Sequence, residues 1–98
     1  MCQFLRDQKK EFVLSKQVLR SGTSIGANIR EALNGQSQAD FIHKLSIAQK
    51  EADETLYWLE LLKETSFLDE TLFNSIYADG LEVFKIITSI IVTSKKKL

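Results

Sequence analysis

The amino-acid sequence predicts an all-α protein, an antiparallel up-and-down helical bundle built as a single domain of 98 residues. Three observations lead there. Proline is absent and glycine occurs only four times, so few positions interrupt a helix. Apolar residues recur at spacings of three and four along three long stretches, rather than alternating with period two. The stretches are joined by brief connections, which make consecutive helices antiparallel neighbours.

Residues 1–8 place Phe4 and Leu5 ahead of the charged run Arg6-Asp7-Gln8-Lys9-Lys10 and read as a helical stub ending in a solvated turn. On its own such a piece is marginal, because isolated helices below about 12 to 15 residues rarely hold in water. Helix A is expected over about residues 12–33, with Leu14, Val18, Gly22, Ile25, Ile29 and Leu33 as its apolar stripe. Asn34-Gly35 closes it, since both residue types tolerate the left-handed conformation of a helix cap. Inside helix A lies its oddest segment, Arg20 to Glu31. Two interior glycines cost about 1 kcal/mol each relative to alanine, so a compensating contact is expected, and Gly22, Ile25, Gly26 and Ile29 are read as a close-packing or assembly face. Beside them Arg20, Ser24, Asn28 and Glu31 form a polar ridge at spacings of four, four and three. That ridge either ties helix A to helix B or a neighbouring subunit, or lines a groove for a partner or nucleotide.

Helix B is expected over about residues 38–65, opened by Ser37 and Asp40 in the form of a capping box. Phe41, Leu45, Ala48, Ala52, Thr55 or Leu56, Leu59 and Leu62 make a near-heptad seam. Ile42, Ile47, Trp58 and Leu61 lie off that seam, so helix B needs a second neighbour. Trp58 and Leu61 are assigned to a core or subunit contact rather than to a base-stacking platform. Helix C is expected over about residues 69–95, capped by Asp69, with Leu72, Ile76, Gly80, Val83, Ile87 and Ile90 as its stripe and Phe73, Tyr77, Leu81 and Phe84 widening it. The β-branched run Ile86 to Thr93 has strand propensity. A lone strand would have no partner, however, and Lys95, Lys96 and Lys97 suit the negative end of a helix.

The chemistry-bearing residues are sparse. Thirteen basic and thirteen acidic residues cancel, which removes the general positive field that drives non-specific binding to nucleic acid. Arg20, Arg30, Lys44, Lys95, Lys96 and Lys97 remain as candidates for local nucleic-acid contact if oligomerisation gathers them. Cys2 is the one cysteine, so no intramolecular disulfide forms and a reducing cytoplasm fits. The N-terminus lacks an apolar signal region and Ile86 to Val92 is too short to span a bilayer, so no membrane segment is expected. His43 has no second imidazole or thiolate to build a zinc set, and Glu51 and Glu54 lack the Glu-x-x-His companions of a di-metal bundle. The serines near Gly22 and Gly26 do not form a phosphate loop. No catalytic residue, cofactor or metal ligand is therefore assigned, and the chain is read as non-enzymatic. The surplus apolar surface of helices B and C points to self-association.

The run Leu19 to Ala32, followed by Asp40 to Leu62, resembles the 23S rRNA-intervening sequence protein family, small bacterial four-helix-bundle proteins. Its most specific part is Ser24 to Glu31, joined to Phe41, Ala48, Glu51 and the Glu54 to Leu62 run. The resemblance spans nearly the whole chain and implies an antiparallel bundle that assembles into rings, typically pentamers, with a largely unassigned role. A related group, the accessory proteins of diversity-generating retroelements, implies work beside a reverse transcriptase through a strongly basic pentamer. Zero net charge sets this chain apart from that group. The resemblance also implies a first helix of about 20 residues, where only Met1 to about Gln8 stand here. That helix is expected to be truncated or replaced by another subunit.

Overall fold

The computed structural model describes residues 2–97, with side chains described from residue 8 onward. The chain is all-α, and no strand occurs among the described residues. Three helices follow one another: α1 spans Cys2–Leu33, α2 spans Gln38–Glu64 and α3 spans Glu70–Lys95. The separate N-terminal stub is corrected by this arrangement, and with it the four-helix layout with a short first helix. The run Arg6 to Lys10 continues α1 without a turn. Arginine, glutamine and lysine are good helix formers, no breaker lies among them, and extending an existing helix avoids a second costly nucleation. The side chains of Phe4 and Leu5 lie outside those described.

α1 ends on Asn34, whose side-chain Nδ2 donates to the Arg30 carbonyl at 3.1 Å. The left-handed cap expected at Asn34-Gly35 is absent, since among the described residues the only positive φ outside glycine is at Ser66 and no glycine has one. Gly35 is needed for space instead: a Cβ there would stand 2.7 Å from Asp40 Oδ2 and 3.1 Å from the Ala32 carbonyl. α2 starts at Ser37, whose Oγ accepts from the Asp40 amide at 3.0 Å, satisfying one of the free donors of the first turn.

The left-handed residue sits at the other end of α2. Phe67 N–H reaches the Leu62 carbonyl and Ser66 N–H the Lys63 carbonyl, each at 3.0 Å, around Ser66 at φ 64°. This is a Schellman closure with serine where glycine is usual. Left-handed backbone costs a residue with a Cβ roughly 1–2 kcal/mol, so Ser66→Gly is expected to stabilise the fold by about 1 kcal/mol, read from the midpoint of urea unfolding. Asp69 Oδ1 then accepts from the Thr71 amide at 2.9 Å and opens α3.

α2 is the middle of the molecule. Both α1 and α3 pack on it, and among the described residues α1 and α3 make no backbone approach to each other. A closed three-helix triangle would bring every pair together; this one is left open on one side, with extents of 58 × 22 × 13 Å. The core clusters Ala32 of α1, Ile42, Leu45 and Ala48 of α2, and Ile87 and Ile91 of α3, with Ile25, Ile29 and Phe41 packed against it. On the α3 side the packing is tight at Gly80, where a Cβ would meet Leu56 Cδ2 at 3.0 Å.

Two stripes are turned by about one residue from their expected positions. On α1 the buried members are Leu14, Ser21 and Ala32, while Gly22 and Leu33 are exposed. On α3 they are Phe73, Ile87, Ile91 and Ser94, while Leu72, Ile76, Val83 and Ile90 face outward. The β-branched end of α3 stays helical because Ile87 and Ile91 bury against α2.

Candidate functional site

The polar residues of Arg20 to Glu31 meet α2 in antiparallel register. Arg20 lies 3.4 Å from Glu51 and 3.2 Å from Glu54 through its two terminal nitrogens. About three turns along α1, Glu31 pairs with Lys44 at 3.0 Å. Next to the Arg20 pairs, the Thr55 hydroxyl lies 2.8 Å from the Ser21 hydroxyl. Ser21 is fully enclosed, and its Oγ also lies 2.9 Å from the Gln17 carbonyl, the backbone acceptor that lets a hydroxyl sit inside a helix interface. Ser24 and Asn28 bond to each other rather than across, with Asn28 Nδ2 donating to the Ser24 carbonyl at 2.9 Å and to its hydroxyl at 3.1 Å.

These contacts define what the ridge does chemically in the single chain. Glu51 and Glu54 both engage the guanidinium of Arg20, which offsets one of the two negative charges and holds α1 against α2. Arg20 remains half-exposed and Glu54 more than a third exposed, so each ion pair contributes well under 1 kcal/mol. The Glu31 carboxylate, through its hydrogen bond and its charge, holds the Lys44 ammonium above its usual 10.5. His43 is exposed on the outer face of α2.

The glycine face lies elsewhere. Ile25 and Ile29 are half-buried against the core, but Gly22 and Gly26 are exposed, and a Cβ on either would meet nothing within 4 Å. They belong to a second seam on α1, turned away from α2. Phe12, Ser15, Leu19, Gly22, Gly26 and Leu33 lie along it at spacings of three, four and seven, with Ile29, which packs against the core, at its inner edge. Phe12, Leu19 and Leu33 are 64%, 71% and 74% exposed, so three large apolar side chains stand in water beside the small ones. α3 carries a matching feature. Leu72, Ile76, Val83, Ile86 and Ile90 form an exposed line with the same spacing, interrupted by Asp79.

The remaining expected site residues separate into groups. Trp58 and Leu61 are half-buried on α2. Trp58 stacks edge-on against Tyr57 at 5.1 Å, and its enclosed Nε1 has no hydrogen-bond partner among the described residues. Of the basic candidates, Arg20 and Lys44 are occupied by carboxylates. Arg30 and Lys95 to Lys97 are exposed and gather at one end of the bundle, where Gln38 Nε2 donates to the Ser94 carbonyl at 3.4 Å.

Compared with known proteins, the chain matches the model of the 23S rRNA-intervening sequence protein family over residues 2–89. The chain belongs to that family. A solved structure from Bacteroides thetaiotaomicron VPI-5482, described as a protein with unknown function from the S23 ribosomal protein family, shares 60% sequence identity and a TM-score of 0.81. The similarity covers 91% of this chain and 82% of that one. No curated protein matches the chain. Family membership therefore carries the fold and leaves the biochemical role open. Among the described residues, no helix of this family member is long and apolar enough to cross a membrane.

Sequence reasoning passed over the Ser21–Thr55 bridge and the contacts of Tyr77. The signal for Ser21 was its place seven residues after Leu14 and four before Ile25, on the inner face. Tyr77 lies beside Glu60, with its hydroxyl donating to Oε1 at 3.1 Å, and Lys63 Nζ stands 4.7 Å from the Phe73 ring centre next to it. Partial desolvation, then the bond and charge of Glu60, raise the Tyr77 phenol above its usual 10.0. A raised phenol favours the folded state below that ordinary value, and the contribution is lost as pH rises through the higher folded value. Glu60→Gln is expected to lower the Tyr77 midpoint without returning it fully to the ordinary value, because desolvation persists; tyrosinate absorbance against pH measures it.

Proposed function

We propose that this chain is a non-enzymatic helical-bundle scaffold or adaptor that works as a homo-oligomer. The observation that carries the reading is the pair of uncovered apolar seams, one on α1 and one on α3, flanking a central helix already covered on both sides. Contiguous exposed apolar surface of this kind marks association in soluble proteins. The scaffold reading is supported by the use of the polar groups: Arg20, Glu51, Glu54, Glu31 and Lys44 are spent on joining α1 to α2. A pentamer is the assembly the family resemblance implies, and a reducing cytoplasm suits a chain with one cysteine. Sedimentation at micromolar concentration tests the proposal, with a mass several times the 11.2 kDa of one chain expected. A stable monomer there would overturn it.

A nucleic-acid or ribonucleoprotein accessory role is the second reading. It is favoured by the gathering of Arg30 with Lys95, Lys96 and Lys97 at one end of the bundle, which an oligomer multiplies. Binding to RNA or DNA should then weaken steeply as salt rises, because phosphate contacts release counterions. Absence of binding at about 50 mM salt, where such contacts are strong, would remove this reading.

A further inference from the structure

We infer that Asn34-Gly35 is a self-modification site, at which the chain converts its own asparagine amide to a carboxylate at a rate set by local opening of the last turn of α1. The chain holds three asparagines. Asn28 lies within α1 and Asn74 within α3, followed by Ile29 and Ser75. Asn34 alone stands in a connection and alone precedes a glycine, and it is exposed.

The chemistry is intramolecular and consumes only water. The Gly35 amide nitrogen gives its proton to solvent base and attacks Cγ of Asn34, forming an N–Cγ bond. The Cγ–Nδ2 bond breaks, and the side-chain nitrogen takes a proton from water and leaves as ammonia. Water then opens the cyclic imide. Breaking its N–Cγ bond yields aspartate at position 34, and breaking its other N–C bond yields an isoaspartyl link whose main chain runs through Cβ and Cγ. Glycine favours the attack, because no side chain shields its nitrogen and its backbone turns most freely.

The closed turn opposes each step. Gly35 N–H donates to the Ala32 carbonyl at 3.1 Å, so the nucleophile is engaged. Asn34 Nδ2 donates to the Arg30 carbonyl at 3.1 Å, which pins the leaving group back along α1. Asn34 N–H is shared between the Arg30 and Glu31 carbonyls at 3.2 Å. Reaction requires these bonds to open. All of them belong to a helix end, where opening is local and costs far less than global unfolding.

Packing keeps the labile pair in place. A Cβ at Gly35 would press on Asp40 Oδ2 at 2.7 Å, so the turn against α2 requires glycine after Asn34. The product alters the connection in two ways. A carboxylate at position 34 loses the bond to the Arg30 carbonyl and adds negative charge at the negative end of the α1 dipole. The isoaspartyl form lengthens the connection that sets α1 against α2. Either form brings a new negative charge into the cavity that Asn34 lines with Arg30, Glu31 and Lys44.

Incubation of the intact chain in mildly alkaline buffer, followed by ion exchange and by peptide mapping with mass spectrometry, tests the inference. The acidic form is expected to map to position 34, with Asn28 and Asn74 unchanged. Asn34→Gln should not accumulate it over the same period, because its longer side chain closes a less favourable ring; circular dichroism checks that this variant folds. The folded chain should react about tenfold more slowly than the chain in concentrated urea, equivalent to about 1.4 kcal/mol of turn closure. Its rate should stay level through low urea, since opening one turn exposes little surface, and rise only as the fold is lost. Acidic product at Asn28 or Asn74 instead, or none at position 34 in the unfolded chain, overturns the site. A folded chain that yields no product, that reacts as fast as the unfolded one, or whose rate climbs with the first urea overturns control by local opening.

Discussion

Leu45→Ala is expected to cost about 2–5 kcal/mol of folding stability, the range for emptying a leucine site in a packed core. Leu45 is 3% exposed and sits in the one cluster that draws side chains from all three helices. Because the α1 and α3 backbones do not approach each other among the described residues, their mutual arrangement depends on α2, and a cavity at Leu45 weakens both attachments at once. A domain of this kind has roughly 5–15 kcal/mol in total, so the variant should unfold at a much lower urea midpoint. Leu19→Ala is the control. Leu19 is 71% exposed, and its loss should change single-chain stability by no more than about 0.5 kcal/mol. Urea titrations followed by circular dichroism at dilute concentration compare the two. A cost below about 1 kcal/mol at Leu45 would show that the three-helix cluster is not the centre of cooperativity.

The sequence made the helices readable and the facing of two of them ambiguous. α2 is covered on both sides, so its broad apolar surface has one reading, and Leu45, Ala48, Ala52, Leu59 and Leu62 are all buried as the seam requires. α1 and α3 each carry two apolar stripes about a quarter turn apart. A three-four pattern drawn through both stripes looks continuous, which is how Gly22 and Leu33 joined inner residues on α1, and Leu72, Ile76 and Val83 joined Ile87 on α3. What separates the stripes is tertiary: which one meets α2. The inner face of α1 was also disguised by Ser21, a polar residue whose hydroxyl is satisfied by backbone and by Thr55. The polar ridge was visible as a spacing, but its partners were not, because the register between α1 and α2 depends on how the Asn34 to Ser37 connection turns.

The glycines give the sharpest separation between folding and assembly. In the single chain, Gly80 is the one at the crowded α2–α3 approach, with Leu56 Cδ2 at 3.0 Å from an added Cβ, while Gly22 and Gly26 have no neighbour there. Gly80→Leu is accordingly expected to overpack and destabilise by about 1–3 kcal/mol. Gly22→Leu and Gly26→Leu are expected to behave in the opposite way in a dilute, monomeric sample. Leucine meets nothing at either position and is a better helix former than glycine by about 0.8 kcal/mol, so folding stability should hold or rise by that amount. Assembly should fall sharply, since a leucine fills the hollow into which another helix must approach. Urea unfolding at dilute concentration and sedimentation at micromolar concentration read the two effects separately. Lost stability in the dilute sample would mean that α1 packs its glycines within the chain after all. Assembly unchanged by both leucines would mean that the outer seam of α1 is not where copies meet, and the surplus apolar surface would then have to act through α3 alone.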